Sequence, residues 1–419
     1  VRSMRAIILT IGDELTGGHT VDTNASYLAG RIGELGIKVS RIETVGDDTE
    51  VIARQLLIAL EAADLILLTG GLGSTTDDIT KEAVALATGR KMVIDPGLRS
   101  ELEARLKSYR TATPAVLDSL AGIPEGSEII QNPVGAAAGL FIKQGDARIF
   151  VMPGVPSEME AVFVDGVLPI LGRLPRPEIT VTRVVKTTGM SESAIAGRLE
   201  PLIGKIQARL GYLPRPEGVE LRLTATGPGE TVDRLLSEST GIIVAALGER
   251  VYSTKGEDIH FVLGRMLIDR GLTIAVAESC TGGLIGHLLT QVPGISSVLD
   301  RAVVAYSNGA KTDSLGVPAA LIEEHGAVSA EVAQAMARGV RDRAGTDIGL
   351  STTGIAGPGG GTQEKPVGLV HFGLAGPDGS DTSRMVFRGS REIVKIRAAV
   401  HGLDLVRCRL LGTEAGAGG

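Results

Sequence analysis

Twice along this chain, short runs of valine, isoleucine and leucine alternate with longer segments whose apolar residues recur at helical spacing, and few folds accept that order. Near the start, "RAIILTI", "IKVSRIETV" and "ADLILLTGG" read as strands, with the helical segments "NASYLAGRIGELG" and "EVIARQLLIALEAA" between them. Each pair of strands is joined through a helix, so the strands lie parallel and the sheet is covered on both faces, a three-layer α/β/α domain. The helical segment "DPGLRSELEARLKSY", the short glycine-turned strands of "SEIIQNPVGAAAGLFIKQGDARIFVMPG" and the helix "SEMEAVFVDGVLPIL" complete a first domain over residues 1–173.

The proline-rich "GRLPRPE" reads as a linker. Beyond it, "ITVTRVVKTTG", "SAIAGRLEPLIGKIQARL", "VELRLTATG", "ETVDRLLSESTGIIVAALG" and "RVYST" predict strand, helix, strand, helix, strand, a small α+β connector over residues 174–255. Its element mixture is comparable to that of the RNA-binding KH module, whose GxxG clamp is absent. The second alternating block is an α/β domain over residues 256–412. It runs through helix "IHFVLGRMLIDRG", strand "LTIAVAES", helix "GGLIGHLLTQV", strand "SVLDRAVVAYSN", helix "AEVAQAMARGVRDRAG" and strand "DIGLSTTG". A hairpin, "GLVHFGLAGPDGSDTSRMVF", and a last helix from Ser390 close it; residues 413–419 are expected to be a disordered tail.

With 419 residues, 43% of them hydrophobic, each domain can bury a core of its own. A net charge of -7, 3% aromatics and no tryptophan, with both signs of charge mixed along the chain, argue against direct nucleic-acid binding. No stretch reaches the roughly 18 uninterrupted apolar residues of a membrane span. The first apolar run ends in two carboxylates instead of a small-residue cleavage site, so the expected location is the cytoplasm. Cys280 and Cys408 lie far apart without a CxxC pair, which excludes a disulfide framework and a thiolate zinc site. Cys408 falls in a helical run and reads as core.

Within the second block, "AESCTGG" (residues 277–283) sets Ser279 and Cys280 side by side where a strand meets a helix. A helix start offers unpaired N–H groups and a positive dipole end, so a nucleophile there gains an oxyanion site, and Gly282 and Gly283 permit close approach of a ligand. A tight turn capped by Ser or Thr explains the same letters. None of the six histidines offers an evident base, but "AYSNGAKTD" places Tyr306, Asn308 and Lys311 after the end of a neighbouring strand. A lysine in a dry pocket gives up its proton near neutral pH and can serve as base; in a solvated loop it cannot. In "STTGIAGPGGGT" (residues 351–362), Gly354, Ala356 and Gly357 begin a glycine-rich loop that suits a phosphate or carboxylate, or is a long turn. Lys365 and Arg391 add positive charge nearby.

In the first domain, "TGGLGSTTDDITKE" brings Gly70, Gly71 and Gly73 together with Asp77 and Asp78 after the third strand, and "GDEL" places Glu14 after the first. Glycine amides meet phosphates, and carboxylates at this spacing hold a hard divalent cation beside them. Acidic residues that merely suit a helix dipole explain the pair equally well.

Six motifs of the second block, "AESCTGG", "AYSNGAK", "LGV", "HGAVSAEVA", "TGIAGPGGGTQEKPVG" and "FRGSR", resemble in order and spacing the C-terminal domain of the competence/damage-inducible protein CinA family. That domain is a nicotinamide-mononucleotide amidohydrolase without a cofactor. The resemblance implies that Ser279, and not Cys280, is the nucleophile, activated by Lys311 and Tyr306. Substrate would lie among Thr281, Gly282, Gly283, Asn308, Gly354, Ala356, Gly357, Lys365 and Arg391, with Arg391 toward its phosphate. The products are nicotinate mononucleotide and ammonia.

"IGDEL", "DTNASYLA", "TVGDD", "TGGLGSTTDDITKE", "NPVGAAAG" and "MPGVPSEME" resemble the molybdopterin-binding MoaB/MogA-like domain in the form found at the N-terminus of CinA proteins. The cofactor-synthesis relatives carry TGGTG followed by Arg-Asp; here Leu72 and Asp77 replace the second Thr and the Arg, which weakens a pterin reading. In its CinA form the domain is associated with metal-dependent ADP-ribose pyrophosphatase activity. That implies a divalent cation among Asp78, Asp77, Glu14 and Glu158, walls from Asn24, Gly70, Gly71, Gly73, Asn132, Gly154 and Pro156, and AMP and ribose 5-phosphate as products. The expected partners are small nucleotides and a second copy of the chain in a homodimer. Two other readings stand beside this one: a non-catalytic regulatory protein linked to competence or DNA damage, and a molybdopterin-binding protein.

Overall fold

The computed structural model describes residues 4–106, 113–174 and 178–413, so the expected tail lies, Thr413 apart, outside the described residues. The chain packs as two compact units, Val1–Thr182 with Thr226–Asp233, and Arg183–Ala225 with Arg234–Gly419.

The first unit holds β1 (Arg5–Ile11), β2 (Lys38–Val45), β3 (Leu65–Thr69), β4 (Met92–Ile94), β5 (Gly122–Pro124), β6 (Glu128–Ile130), β7 (Gly139–Gln144) and β8 (Ala147–Met152). Its main sheet runs β2-β1-β3-β8-β7-β6, while β4 and β5 pair separately. The first four strands are parallel and β7 and β6 antiparallel, so the sheet is mixed where the sequence suggests a parallel one. The cause is local: Gly145, at φ 59°, and Asp146 turn β7 into β8 as a two-residue hairpin, with Gln144 opposite Ala147. Central β3 is buried along its whole length, as a strand covered on both faces must be, whereas edge strand β2 alternates exposed and half-buried residues. Helices Thr23–Glu34 and Thr49–Ala62 begin at Asp22 and Asp48, whose carboxylates accept from first-turn amides.

Next come β9 (Ile179–Thr187), β10 (Arg209–Arg215), β11 (Gly218–Gly227) and β12 (Val251–Ser253), in the order β10-β11-β9-β12. The single helix expected over "SAIAGRLEPLIGKIQARL" is broken. A helix spans Glu192–Leu199, a 3-10 segment follows over Glu200–Lys205, and Arg209 and Leu210 already belong to β10. Pro201 lacks the N–H that an α-helix interior needs, and Pro214 is tolerated in β10 because that strand lies at the sheet edge.

In the C-terminal block, β13 (Ile274–Glu278), β14 (Leu299–Val304), β15 (Ile348–Gly354), β16 (Leu369–Gly376) and β17 (Gly379–Val386) form a sheet ordered β14-β13-β15-β16-β17. The first three strands are parallel and the last two form an antiparallel hairpin. Alternate β13 residues serve two cores. Ile274 and Val276 join one that includes Leu403 and Val406 of helix Arg391–Leu411, and Ala275 and Ala277 join one that includes Val332 and Met336 of helix Ala330–Ala344. Cys408 is buried, as its helical run suggests. Among the described residues no helix is long and apolar enough to cross a membrane.

Candidate active site

Parallel strands β13, β14 and β15 end at the same sheet edge, so "AESCTGG", "AYSNGAK" and "STTGIAG" meet although 76 residues separate the end of β13 from that of β15. The edge is pinned by the amide of Ser279 donating to the Thr352 carbonyl at 3.0 Å and that of Ala305 to the Glu278 carbonyl at 2.8 Å. Lys311 lies not in a loop but in helix Asn308–Leu315, whose first turn Ser307 caps through the Ala310 amide. That turn aims the Lys311 side chain back into the protein, where it is 2% exposed.

There, Lys311 Nζ is 3.1 Å from Ser279 Oγ, 3.1 Å from the Ala305 carbonyl and 3.2 Å from the Tyr306 carbonyl. Burial holds its pKa below the ordinary lysine value. An uncharged amine has two hydrogens and one lone pair. The two carbonyls can only accept, so they take the hydrogens and leave the lone pair for the Ser279 hydroxyl.

A cavity of about 260 Å³ opens over this pair. Of the predicted residues, Ser279, Lys311, Tyr306, Asn308, Gly354, Ala356, Gly357 and Arg391 line it. The exposed Tyr306 hydroxyl accepts from Arg391 Nη2 at 2.8 Å, and Arg391 Nη1 donates to the Gly357 carbonyl at 2.7 Å. Tyr306 thus reaches Lys311 through its backbone carbonyl and Arg391 through its ring. Lys365 is not on the cavity wall; its amine donates to the His325 carbonyl at 2.8 Å. Thr281 is fully buried against the Thr352 hydroxyl. Sequence reasoning passed over Ala327, Val328, Thr353 and Ile355, which also line it. "HGAVSAEVA" was the available signal for the first two.

The helix tip behind Ser279 is not free to receive an oxyanion, contrary to expectation. The fully buried Glu278 carboxylate accepts from the amides of Gly283 at 2.9 Å, Ile285 at 3.1 Å and Gly286 at 2.8 Å. Gly282 and Gly283, at φ 63° and 93°, make the turn that brings those amides round to it. Glu278→Gln puts an amide group where only acceptors fit, and the C-terminal unit should lose about 1–3 kcal/mol, measured as a lowered urea midpoint.

Cys280 shares the cavity edge but points into the apolar cluster of Val370, Phe372, Val394 and Ala398. Burial pushes its thiol up to about 12, which leaves no thiolate at neutral pH. Cys280→Ala should keep catalytic turnover within about threefold of wild type, measured by initial rates.

The carboxyl edge of the first sheet carries two adjoining crevices. The larger, about 540 Å³, is lined by Gly71, Gly73, Asp78, Gly154 and Glu158, and by an apolar wall including Leu106, Val116 and Leu120. Helix Pro114–Ala121, which supplies Val116 and Leu120, is an element the sequence reading did not include. Asp78 caps its own loop, accepting from the amides of Gly73 at 2.7 Å and Thr75 at 2.8 Å. Asn132 does not line the crevice; it is buried, donates to Glu158 Oε2 at 2.7 Å and so orients that carboxylate. Gly70 packs behind, where any Cβ would collide with the Ile11 carbonyl. Leu72 is buried, and faces the crevice in place of a hydroxyl.

The smaller crevice, about 80 Å³, holds Glu14, Asn24, Thr69 and Pro156 and shares Gly154. Asn24 donates to Thr69 Oγ1 at 3.0 Å and to the Gly154 carbonyl at 2.8 Å. Asp77 is exposed, and its carboxylate, held below its ordinary pKa by the Thr75 hydroxyl, lines neither crevice. The expected set of four carboxylates is therefore divided. Among the described residues no three His, Cys, Asp or Glu side chains converge at metal-binding spacing.

Two α/β blocks, each with a pocket at its strand ends, and a KH-like segment between them in the chain define a multidomain α/β protein. Residues 257–410 match the profile of the CinA C-terminal domain, residues 7–173 that of the "Probable molybdopterin binding domain", and residues 182–253 that of the damage-inducible protein CinA KH domain. A CinA-like protein of Gemmatimonas aurantiaca is 41% identical over 415 residues, covering 98% of this chain and 97% of its own. Another, of Chlorobaculum tepidum, is 42% identical over 421 residues, covering 97% and 99%. The chain belongs to the CinA family.

Among solved structures, CinA of Thermoplasma acidophilum, described as of unknown function, is 34% identical over 40% of this chain and 97% of its own, with a TM-score of 0.38. The molybdopterin biosynthesis enzyme MoaB of Thermus thermophilus is 28% identical over 40% of this chain and 91% of its own, with a TM-score of 0.28.

Proposed function

We propose that the C-terminal unit is a serine amidohydrolase that converts nicotinamide mononucleotide to nicotinate mononucleotide and ammonia. The observation that carries this reading is the buried Lys311 amine, 3.1 Å from Ser279 Oγ and without a carboxylate partner among the described residues. Lys311 takes the hydroxyl proton as Ser279 attacks the carboxamide carbon. It returns that proton to the departing nitrogen, so ammonia leaves and an ester remains on Ser279. A water molecule, giving its proton to Lys311, attacks the ester, and the carboxylate product departs with the serine restored. With the helix tip taken by Glu278, the loop of Ala356 and Gly357, which lines the same cavity, is the source of N–H donors for the oxyanion.

In the first domain we infer a metal-dependent ADP-ribose pyrophosphatase giving AMP and ribose 5-phosphate. Asp78 and Glu158 share the larger crevice with the glycine loop, and a hard divalent ion needs only one or two carboxylates when substrate phosphates supply its other ligands. Such an ion, when bound, would neutralise the pyrophosphate and sharpen a water nucleophile. The chain's own part is to cradle phosphate at Gly71 and Gly73, to orient Glu158 through Asn132, and to offer the Leu106, Val116 and Leu120 wall to an apolar ring face. The test is ammonia release from nicotinamide mononucleotide and AMP release from ADP-ribose by the same full chain. Absence of the first product rejects the amidohydrolase, and absence of the second rejects the pyrophosphatase.

A further inference from the structure

Arg391 closes the catalytic cavity and also forms one wall of a second groove of about 500 Å³, lined besides by Leu284, Glu392, Lys395 and Ile396. Arg391 and Lys395 stand one turn apart on the long C-terminal helix, Arg391–Leu411, and so share a face. The two cations differ in how they are held. Arg391 is fixed by the Gly357 carbonyl and the Tyr306 hydroxyl. Lys395, among the described residues, has no carboxylate within ion-pair range and no hydrogen-bonded partner.

Lys395 is nonetheless half-buried, because it lies over the turn that follows the nucleophile. A Cβ added at Gly282 would come within 3.5 Å of its Nζ, and the Gly282 amide is itself bonded to the Ser279 carbonyl at 3.2 Å. Glycine at 282 is called for by its φ of 63°, which makes the turn; a side chain there would come no nearer than ordinary van der Waals contact with the amine. A half-buried ammonium with no partner leaves its charge uncompensated. The positive end of the same helix adds to the field.

We propose that this groove is the phosphate subsite of the amidohydrolase and that Lys395 is the residue that selects a phosphorylated substrate over its unphosphorylated riboside; the proposal rests on the amidohydrolase reading. The phosphomonoester lies between Arg391 and Lys395, while the carboxamide lies on Ser279. Two cations match the two charges of one monoester and outnumber the one carboxylate on the groove wall, that of Glu392.

The test compares kcat/KM for nicotinamide mononucleotide and for nicotinamide riboside in the full chain and in Lys395→Gln and Lys395→Arg. In Lys395→Gln the ratio between the two substrates should fall by about tenfold, through KM for the mononucleotide, and Lys395→Arg should restore most of it. An unchanged ratio in Lys395→Gln overturns the assignment. A second arm needs no turnover: calorimetric binding of nicotinamide mononucleotide to Ser279→Ala should weaken by about tenfold when Lys395→Gln is added, and equal binding overturns the subsite. If the wild-type chain releases no ammonia from either substrate, the amidohydrolase reading fails, and the binding arm still decides whether Lys395 holds the phosphate.

Discussion

Replacing Lys311 by methionine should cut kcat/KM for ammonia release by about a thousandfold or more, a barrier increase of roughly 4 kcal/mol. Methionine keeps the length and apolar stem of the side chain and removes only the amine, so the cavity and the helix Asn308–Leu315 survive. Ser279→Ala should cost at least as much, and the double variant no more than either alone, because proton acceptor and nucleophile act in one step. The pH profile gives an independent readout. The amine serves as base only once deprotonated, so activity rises with pH and levels off below the ordinary lysine value of 10.5, since burial lowers the Lys311 pKa.

Stability moves with the same group. In the folded chain Lys311 releases its proton at a lower pH than in the unfolded chain, so between the depressed value and 10.5 the unfolded state binds more protons and stability rises with pH. Lys81, also buried and also shifted down by burial, contributes a slope of the same sign. Lys311→Met should flatten part of that slope and leave the chain folded; it loses the two hydrogen bonds to the Ala305 and Tyr306 carbonyls and compares best with the wild type below the depressed pKa, where the wild type must bury a charged amine. A variant that loses activity together with its cooperative unfolding transition would count against a catalytic role for the amine.

Much of this arrangement is legible in the order of the elements. Both main sheets place their second strand and third strand on opposite sides of the first, β2-β1-β3 and β14-β13-β15, and strand-order reversal of this kind opens a crevice at the carboxyl ends. That is why "GDEL" and "TGGLG" meet in one unit, and "AESC" and "AYSNGAK" in the other. What periodicity does not carry is the use to which individual polar groups are put. Nothing local to "AESCTGG" says that Glu278 turns back onto its own helix, because a buried carboxylate and an exposed one are written with the same letter. Lys365 likewise adjoins the glycine-rich loop in sequence, yet a carbonyl 40 residues earlier claims its amine. Short elements are hidden for a related reason. Asn308–Leu315 and Pro114–Ala121 span two turns each, too few for an apolar period to show, and each supplies part of a site wall.

Removing divalent metal should abolish AMP formation from ADP-ribose and leave ammonia release untouched in the same sample. Among the described residues, Asp78 and Glu158 are the carboxylates on the wall of the larger crevice, and two carboxylates facing a pyrophosphate repel it unless a cation stands between them. With EDTA the pyrophosphatase rate should fall by about a hundredfold or more, and added magnesium or manganese should restore it. Glu158→Gln is the cleaner of the two side-chain tests. Its amide oxygen can still accept from Asn132, so the loop stays in place while one charge leaves the crevice. Asp78→Asn also disturbs the amides of Gly73 and Thr75, which its carboxylate holds. A loss of about a hundredfold in Glu158→Gln with unchanged ammonia release supports two carboxylates acting with a cation. An ADP-ribose rate in EDTA equal to that in magnesium would instead mean that backbone amides at Gly71 and Gly73 suffice to bind and activate the pyrophosphate.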